Sequence, residues 1–175
     1  MDAGFVLDST FQLSFPEQCE VVRQAARLGY TSAWAPGGVT SRDAFHTCVQ
    51  WSAAGGPGFT TGTSVVVAPH WTPVTLAVQA ATTAEVVGGP FVLGIGSGAV
   101  HLASTRKAFD LPDRPVISLM RDYLTILRGL LDGNSVDYQG RTTSARGVQL
   151  GFRPPHVPLY VGGLGPQMLS VAGEL

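Results

Sequence analysis

The sequence predicts an α/β fold built on a parallel sheet, and three observations carry that expectation. Short β-branched or apolar runs alternate with segments of helical periodicity five times along the chain. The runs are too apolar for one sheet face to meet water, which argues for helices covering the sheet. Four of the five predicted strand ends carry small residues, at Gly37-Gly38, Thr63-Ser64, Gly96-Ser97-Gly98 and Gly162-Gly163-Leu164-Gly165. At 175 residues, 45% hydrophobic and 13% charged, the chain has the size and composition of one domain, residues 1–175.

The first strand is expected around Gly4 to Asp8. Ser14 and Glu17 then have capping-box spacing, and Val21, Val22, Ala25 and Leu28 form an apolar helical face that stops at Gly29. Tyr30 to Ala35 reads as the second strand, Pro36-Gly37-Gly38 turns the chain, and Ser41 is expected to open a helix through Phe45, Cys48, Val49 and Trp51. Arg42-Asp43 falls at that helix start, where a negative charge suits the helix dipole. The third strand is the run Thr61 to Val67, and Thr72-Pro73 supplies an N-cap with proline at the first helical position. That helix runs to Val87 and ends at Gly88-Gly89. Phe91 to Ile95 is the fourth strand, followed by a polar connection through Asp110, Pro112, Asp113 and Pro115. The strongest amphipathic pattern spans Val116 to Leu131 and stops at Gly133. Val136 to Tyr138 and Val148 to Leu150 predict a local strand pair outside the main sheet. Pro158 to Val161 is the fifth strand, and Gly162 to Pro166 leads into a last helix.

A formal net charge of −1 with no basic run excludes the electrostatic footprint of a nucleic-acid binder. No apolar stretch approaches the roughly 18 residues of a membrane span, and the start lacks a basic signal-like region, so a cytoplasmic protein without a membrane partner is expected. Cys19 and Cys48 lack C-x-x-C spacing and read as reduced, packed thiols; His46, His70, His101 and His156 are scattered, so no metal site is expected.

The run Phe91-Val-Leu-Gly-Ile-Gly-Ser-Gly98 carries most chemical information, because alternating glycines let backbone amides approach a ligand. Gly94-Ile-Gly96-Ser-Gly-Ala99 satisfies the G-x-G-x-x-A dinucleotide fingerprint, with Asp110 or Asp113 near the distance of a ribose-binding acid. That reading, an NAD(P)-binding doubly wound sheet, requires a first β-α turn, whereas three β-α units precede this one. A β/α barrel is the competing architecture, and it builds its site from loops at several strand ends.

Several segments in order resemble the luciferase-like monooxygenase superfamily: Gly62-Thr-Ser-Val-Val66, Pro73-x-x-Leu-Ala77, Gly88-Gly-x-Phe-Val-Leu-Gly-Ile-Gly-Ser-Gly98, and Val157-Pro-Leu-Tyr-Val-Gly-Gly-Leu-Gly-Pro-x-Met-Leu-x-x-Ala-Gly173. The likeness is strongest to the branch using the deazaflavin coenzyme F420. It implies part of a (β/α)8 TIM barrel, with a flavin or deazaflavin ring over a bulge in the third strand made by a non-prolyl cis peptide, Ser64-Val65 by position. It further implies that Ser64, Val65, Gly96 and Gly98 approach the cofactor and that Gly163, Leu164 and Gly165 line its tail region. F420 is the expected cofactor and FMN the alternative, with hydride transfer to or from a small organic substrate.

The chain departs from that pattern in three ways. Five units are present where the barrel has eight, so the C-terminal units are expected to be missing. Trp34-Ala-Pro-Gly37-Gly38 offers neither the acid nor the histidine usual after the second strand, and Pro90 stands where an arginine often follows the paired glycines. His70 and Asp8 are the remaining catalytic candidates, neither with a nameable partner, and no catalytic residue is assigned. Two functions follow: an F420- or FMN-dependent oxidoreductase, or a non-catalytic half-barrel that binds no cofactor alone. The second expects open edges on the first and fifth strands, incompletely covered Val66 and Val92, and association as a homo-oligomer or with the missing half.

Overall fold

A computed structural model describes residues 2–175. Along the chain run β1 (Gly4–Val6), α1 (Phe15–Arg27), β2 (Ser32–Ala35), α2 (Ala44–Gly55), β3 (Thr60–Thr63), β4 (Val66–Val67), α3 (Pro73–Val87), β5 (Phe91–Gly96), α4 (Ala103–Ala108), α5 (Val116–Leu131), β6 (Val136–Gln139), β7 (Ser144–Val148), β8 (Leu159–Gly162) and α6 (Pro166–Glu174). All pairings of the main sheet are parallel: β1 with β2, β2 with β3, β3 and then β4 with β5, and β5 with β8. Strands therefore neighbour one another in chain order, each crossover advancing the same way. That is the wall of a β/α barrel, since a doubly wound sheet reverses its order at a switch point. The dinucleotide reading of Gly94, Gly96 and Ala99 fails with it, and Asp113 is taken up by an ion pair with Arg106 at 3.3 Å.

The strand register divides the sheet residues between two faces. Phe5, Ala33, Ala35, Thr61, Phe91, Leu93 and Ile95 share the convex face, beneath α1, α2, α3 and α5. Small residues on α3, Ala77, Ala80, Ala81 and Ala84, let that helix approach closely, and Phe45 and Trp51 from α2 and Leu124 and Leu127 from α5 fill the remaining space. The opposite, concave face carries Val6, Trp34, Gly62, Val92, Gly94, Gly96, Tyr160 and Gly162. Trp34 and Tyr160 stack across it with ring centroids 5.6 Å apart and planes at 24°. The indole lies over Gly62, where a Cβ would come within 2.6 Å of it.

This aromatic bridge corrects one expectation. Val66 and Val92 are 2% and 7% exposed: the first belongs to the core beneath the helices, and the second shares a register row with Gly62, over which the Trp34 indole lies. The open edges are present as expected: β1 pairs only with β2 and β8 only with β5 among the described residues.

One helix start and one connection also differ. Asp43, not Ser41, caps α2, its carboxylate accepting the His46 N–H at 2.6 Å; an acidic cap gains from the dipole as well as the hydrogen bond. The connection after β5 contains the short helix α4, whose Arg106 donates to the carbonyls of Val100 and His101. Thr72 and Pro73 begin α3 and Gly88, in the left-handed region, ends it, as the sequence predicts. The β6–β7 hairpin is tied to α5 by the buried carboxylate of Asp122, which accepts from Thr142 N–H and hydroxyl, Thr143 N–H and the Tyr138 phenol.

Candidate functional site

The site begins where the β3–β5 ladder stops. Gly62 pairs with Val92, and backbone pairing resumes only at Val66 with Ile95. Between them Thr63 to Val65 leave the ladder, and the Ser64-Val65 peptide is cis, as the family resemblance implied. The Val65 side chain lies on the concave face: a Cβ at Gly96 would stand 2.8 Å from its Cγ2, and one at Gly162 would stand 3.3 Å from its Cγ1. Glycine on both neighbouring strands is what makes room for it. On the other side Gly37, just past β2, backs directly onto Val65 O and the Val66 backbone.

A cleft of about 650 Å³ opens there, between the Val65 bulge after β3 and the C-terminal ends of β5 and β8. Its lining includes Val65, Gly96, Gly98, Gly163, Leu164 and Gly165. The structure thus brings together six of the seven residues singled out from the sequence. Ser64 is the exception: it is exposed, and its N–H donates to Ala35 O at 2.7 Å on the β2 side. Gly98 has φ +61, and a side chain there would also collide with Val67. Gly165 caps α6 and Pro166 opens it, so the helix starts at the cleft margin. No lysine, arginine, aspartate or glutamate lines this cleft; His101 is its one titratable side chain. Its volume falls within the roughly 300–1,000 Å³ of small-molecule sites.

A second cleft of about 460 Å³ lies between the β2 end, β4 and the start of α2, and holds His70. The His70 ring meets Phe109 edge-on at 5.1 Å, and partial burial lowers its pKa. Beside it, Arg42 donates to Leu13 O and Asp43 caps α2. Asp8 is elsewhere, exposed and capping a 3-10 turn at Ser9–Phe11, with hydrogen bonds from Thr10 holding its carboxyl below the usual range. The two sequence-derived catalytic candidates therefore do not share a site. Among the described residues no group of three His, Cys, Asp or Glu side chains could hold a metal, and Cys19 and Cys48 are free thiols. Sequence reading named Thr63 at a strand end without giving its hydroxyl a role, and it missed the Trp34–Tyr160 stack; alternation from Gly62 and Gly94 was the signal that could have placed the aromatics on the glycine face.

The fold is an arc of β/α-barrel wall with a glycine-lined cleft at its strand C-termini. The sequence profile of the luciferase-like monooxygenases matches residues 3–175, and the chain belongs to that family. It is 36% identical over 106 residues to a 5,10-methylenetetrahydromethanopterin reductase of Archaeoglobus fulgidus, covering 61% of this chain and 31% of that protein. It is 30% identical over 117 residues to an F420-dependent glucose-6-phosphate dehydrogenase of Microbacterium testaceum, covering 65% and 34%. Among solved structures, the coenzyme F420 dependent tetrahydromethanopterin reductase of Methanopyrus kandleri superposes with a TM-score of 0.83 at 18% identity, over 99% of this chain and 53% of that one. The FMN-bound oxygenating constituent of 3,6-diketocamphane monooxygenase from Pseudomonas putida gives 0.75 at 15% identity, over 92% and 51%. The matched region spans about a third of the curated relatives and about half of the solved barrels.

Proposed function

We propose that this chain, as one domain over residues 1–175, forms the cofactor-binding part of an F420-dependent oxidoreductase, with FMN as the alternative cofactor. One observation carries the reading: Val65, Gly96, Gly98, Gly163, Leu164 and Gly165, drawn from three separate strand ends, line one cleft. The fit of the group rests on shape. Gly96 and Gly162 let the Val65 side chain lie down against their strands, so a flat ring can lie over the low wall that Val65 and these glycines make. Gly163 to Gly165 and the start of α6 supply backbone donors for an anionic tail in a cleft without cationic side chains. When bound, the cofactor would supply hydride transfer; the chain's own residues bind, orient and shield it. The partner is a small organic substrate. The names of the relatives support F420 over FMN, and two free thiols fit a cytoplasmic setting.

Titrating the protein with F420, FMN and NADPH, followed by fluorescence, tests this directly. Saturable binding of F420 or FMN is expected and NADPH binding is not; no saturation with either F420 or FMN overturns the proposal. The open edges of β1 and β8, with Val6 45% and Tyr160 56% exposed, favour the second reading of a half-barrel that needs a partner before it binds. Sedimentation during the same titration separates the two, since only the second links binding to association.

A further inference from the structure

We propose that Thr63 is the positioning residue that holds Val65 in the wall of the cleft, a role whose consequence for ligand binding rests on the cofactor reading above. Interrupting a parallel ladder leaves buried backbone groups without partners, and such groups are almost always satisfied by something. Here the gap falls opposite Gly94, a buried residue of β5 whose N–H and C=O face β3. One hydroxyl fills both vacancies. The Thr63 Oγ1 accepts the Gly94 N–H at 2.9 Å and donates to the Gly94 carbonyl at 2.7 Å.

The side chain thus replaces a rung of the β3–β5 ladder while the main chain parts from β5 and stays paired to β2. Glycine at 94 is the reciprocal requirement, because a Cβ there would overlap the Thr63 carbonyl oxygen. Two residues on, Val65 is set against Gly94, Gly96 and Gly162. Thr63 itself is 1% exposed and does not line the cleft, so it acts only through what it holds. A hydroxyl with simultaneous donor and acceptor capacity is needed; valine has the shape without the capacity, and serine the capacity without the methyl.

The experiment compares Thr63→Val and Thr63→Ser with the unaltered full chain by amide hydrogen exchange, Val65 methyl NMR shifts and F420 titration. Losing a buried pair of hydrogen bonds should raise Gly94 N–H exchange at least about tenfold in Thr63→Val and move the Val65 methyl shifts, while Ala33 on β2 stays protected. F420 affinity should fall about tenfold in Thr63→Val and return to within about threefold in Thr63→Ser. Unchanged Gly94 exchange in a folded Thr63→Val overturns the proposal, as does Thr63→Ser behaving like Thr63→Val. If Thr63→Val does not fold, Thr63→Ser alone decides: retained Gly94 protection and Val65 shifts support the role, and their loss refutes it. If the unaltered chain binds no F420, the cofactor reading falls while exchange and methyl shifts still decide what Thr63 positions.

Discussion

Gly37→Ala tests whether the wall of the cleft is held from behind. The added Cβ would stand 2.7 Å from Val65 O and 2.8 Å from both Val66 N and Val66 Cα. An ordinary C···O contact is about 3.3 Å, so the methyl arrives about 0.6 Å too close. All three neighbours are backbone, and no rotamer change relieves them. Gly37 does not occupy the positive-φ region, so the effect is one of space and not of backbone conformation. Overpacking of this kind costs about 1–3 kcal/mol, and rigid neighbours place the expected loss at about 2–3 kcal/mol. For a chain of this size that lowers Tm by roughly 5–10 °C and, with a urea m-value of about 2 kcal/mol/M, the midpoint by about 1 M. Gly173→Ala is the matched control, since no atom lies within 4 Å of its new methyl and α6 gains a better helix former. Urea unfolding followed by circular dichroism reads both. A Gly37→Ala midpoint equal to that of Gly173→Ala would refute the backbone contact between the β2 end and the bulge.

Gly96→Ala should cost about 1–2 kcal/mol, because its Cβ would stand 2.8 Å from Cγ2 of the stiff Val65 side chain, and should weaken F420 binding at least about tenfold by pushing Val65 out of the wall; unchanged affinity in a fluorescence titration would remove Gly96 from the site. Asp122→Ala leaves the Thr142 and Thr143 N–H groups without their buried acceptor and should cost about 3–4 kcal/mol, read as a urea midpoint. Burial acts to raise the Asp122 pKa, but the hydrogen bonds from Thr142, Thr143 and Tyr138 outweigh it, so the folded carboxyl titrates below 3.8. Its contribution is therefore complete above about pH 4, is lost as pH falls through the lowered folded pKa, and should vanish from the acid limb of the stability curve in Asp122→Asn. A double-mutant cycle of Trp34→Ala and Tyr160→Ala should return a coupling of about 0.5–1.5 kcal/mol in thermal unfolding; additivity would mean the stack roofs nothing.

The order of elements was legible because helix and strand periods differ and because each helix carries punctuation: Ser14 with Glu17, Thr72 with Pro73, Gly88 and Gly133. Boundaries were less so. Ser41 and Asp43 are both competent caps, and only the tertiary path of the chain after Gly38 selects the second. The helix α4 has six residues and no buried side chain, so it leaves no periodic signal. Five parallel strands with helices between them suit a barrel or a doubly wound sheet equally by period; strand order decides, and order is not a local property.

The cleft was legible for a different reason, which also explains what was overlooked. On a strand covered by helices, apolar side chains mark the convex face, and a reader of periodicity follows Phe91, Leu93 and Ile95 into the core. The alternate residues, Val92, Gly94 and Gly96, look like interruptions. They are the concave face, kept low so that Val65 can lie over it and so that Trp34 and Tyr160 can meet across it. Glycines at 62, 94, 96 and 162 can be located from sequence, but what stands above each depends on strand stagger: an aromatic ring over 62, the Thr63 carbonyl at 94, Val65 at 96 and 162. The same residue type thus makes room for an aromatic ring lower in the barrel and for Val65 at its rim. Thr63 sits where one use passes into the other, and its hydroxyl lets the wall change shape without leaving Gly94 unpaired.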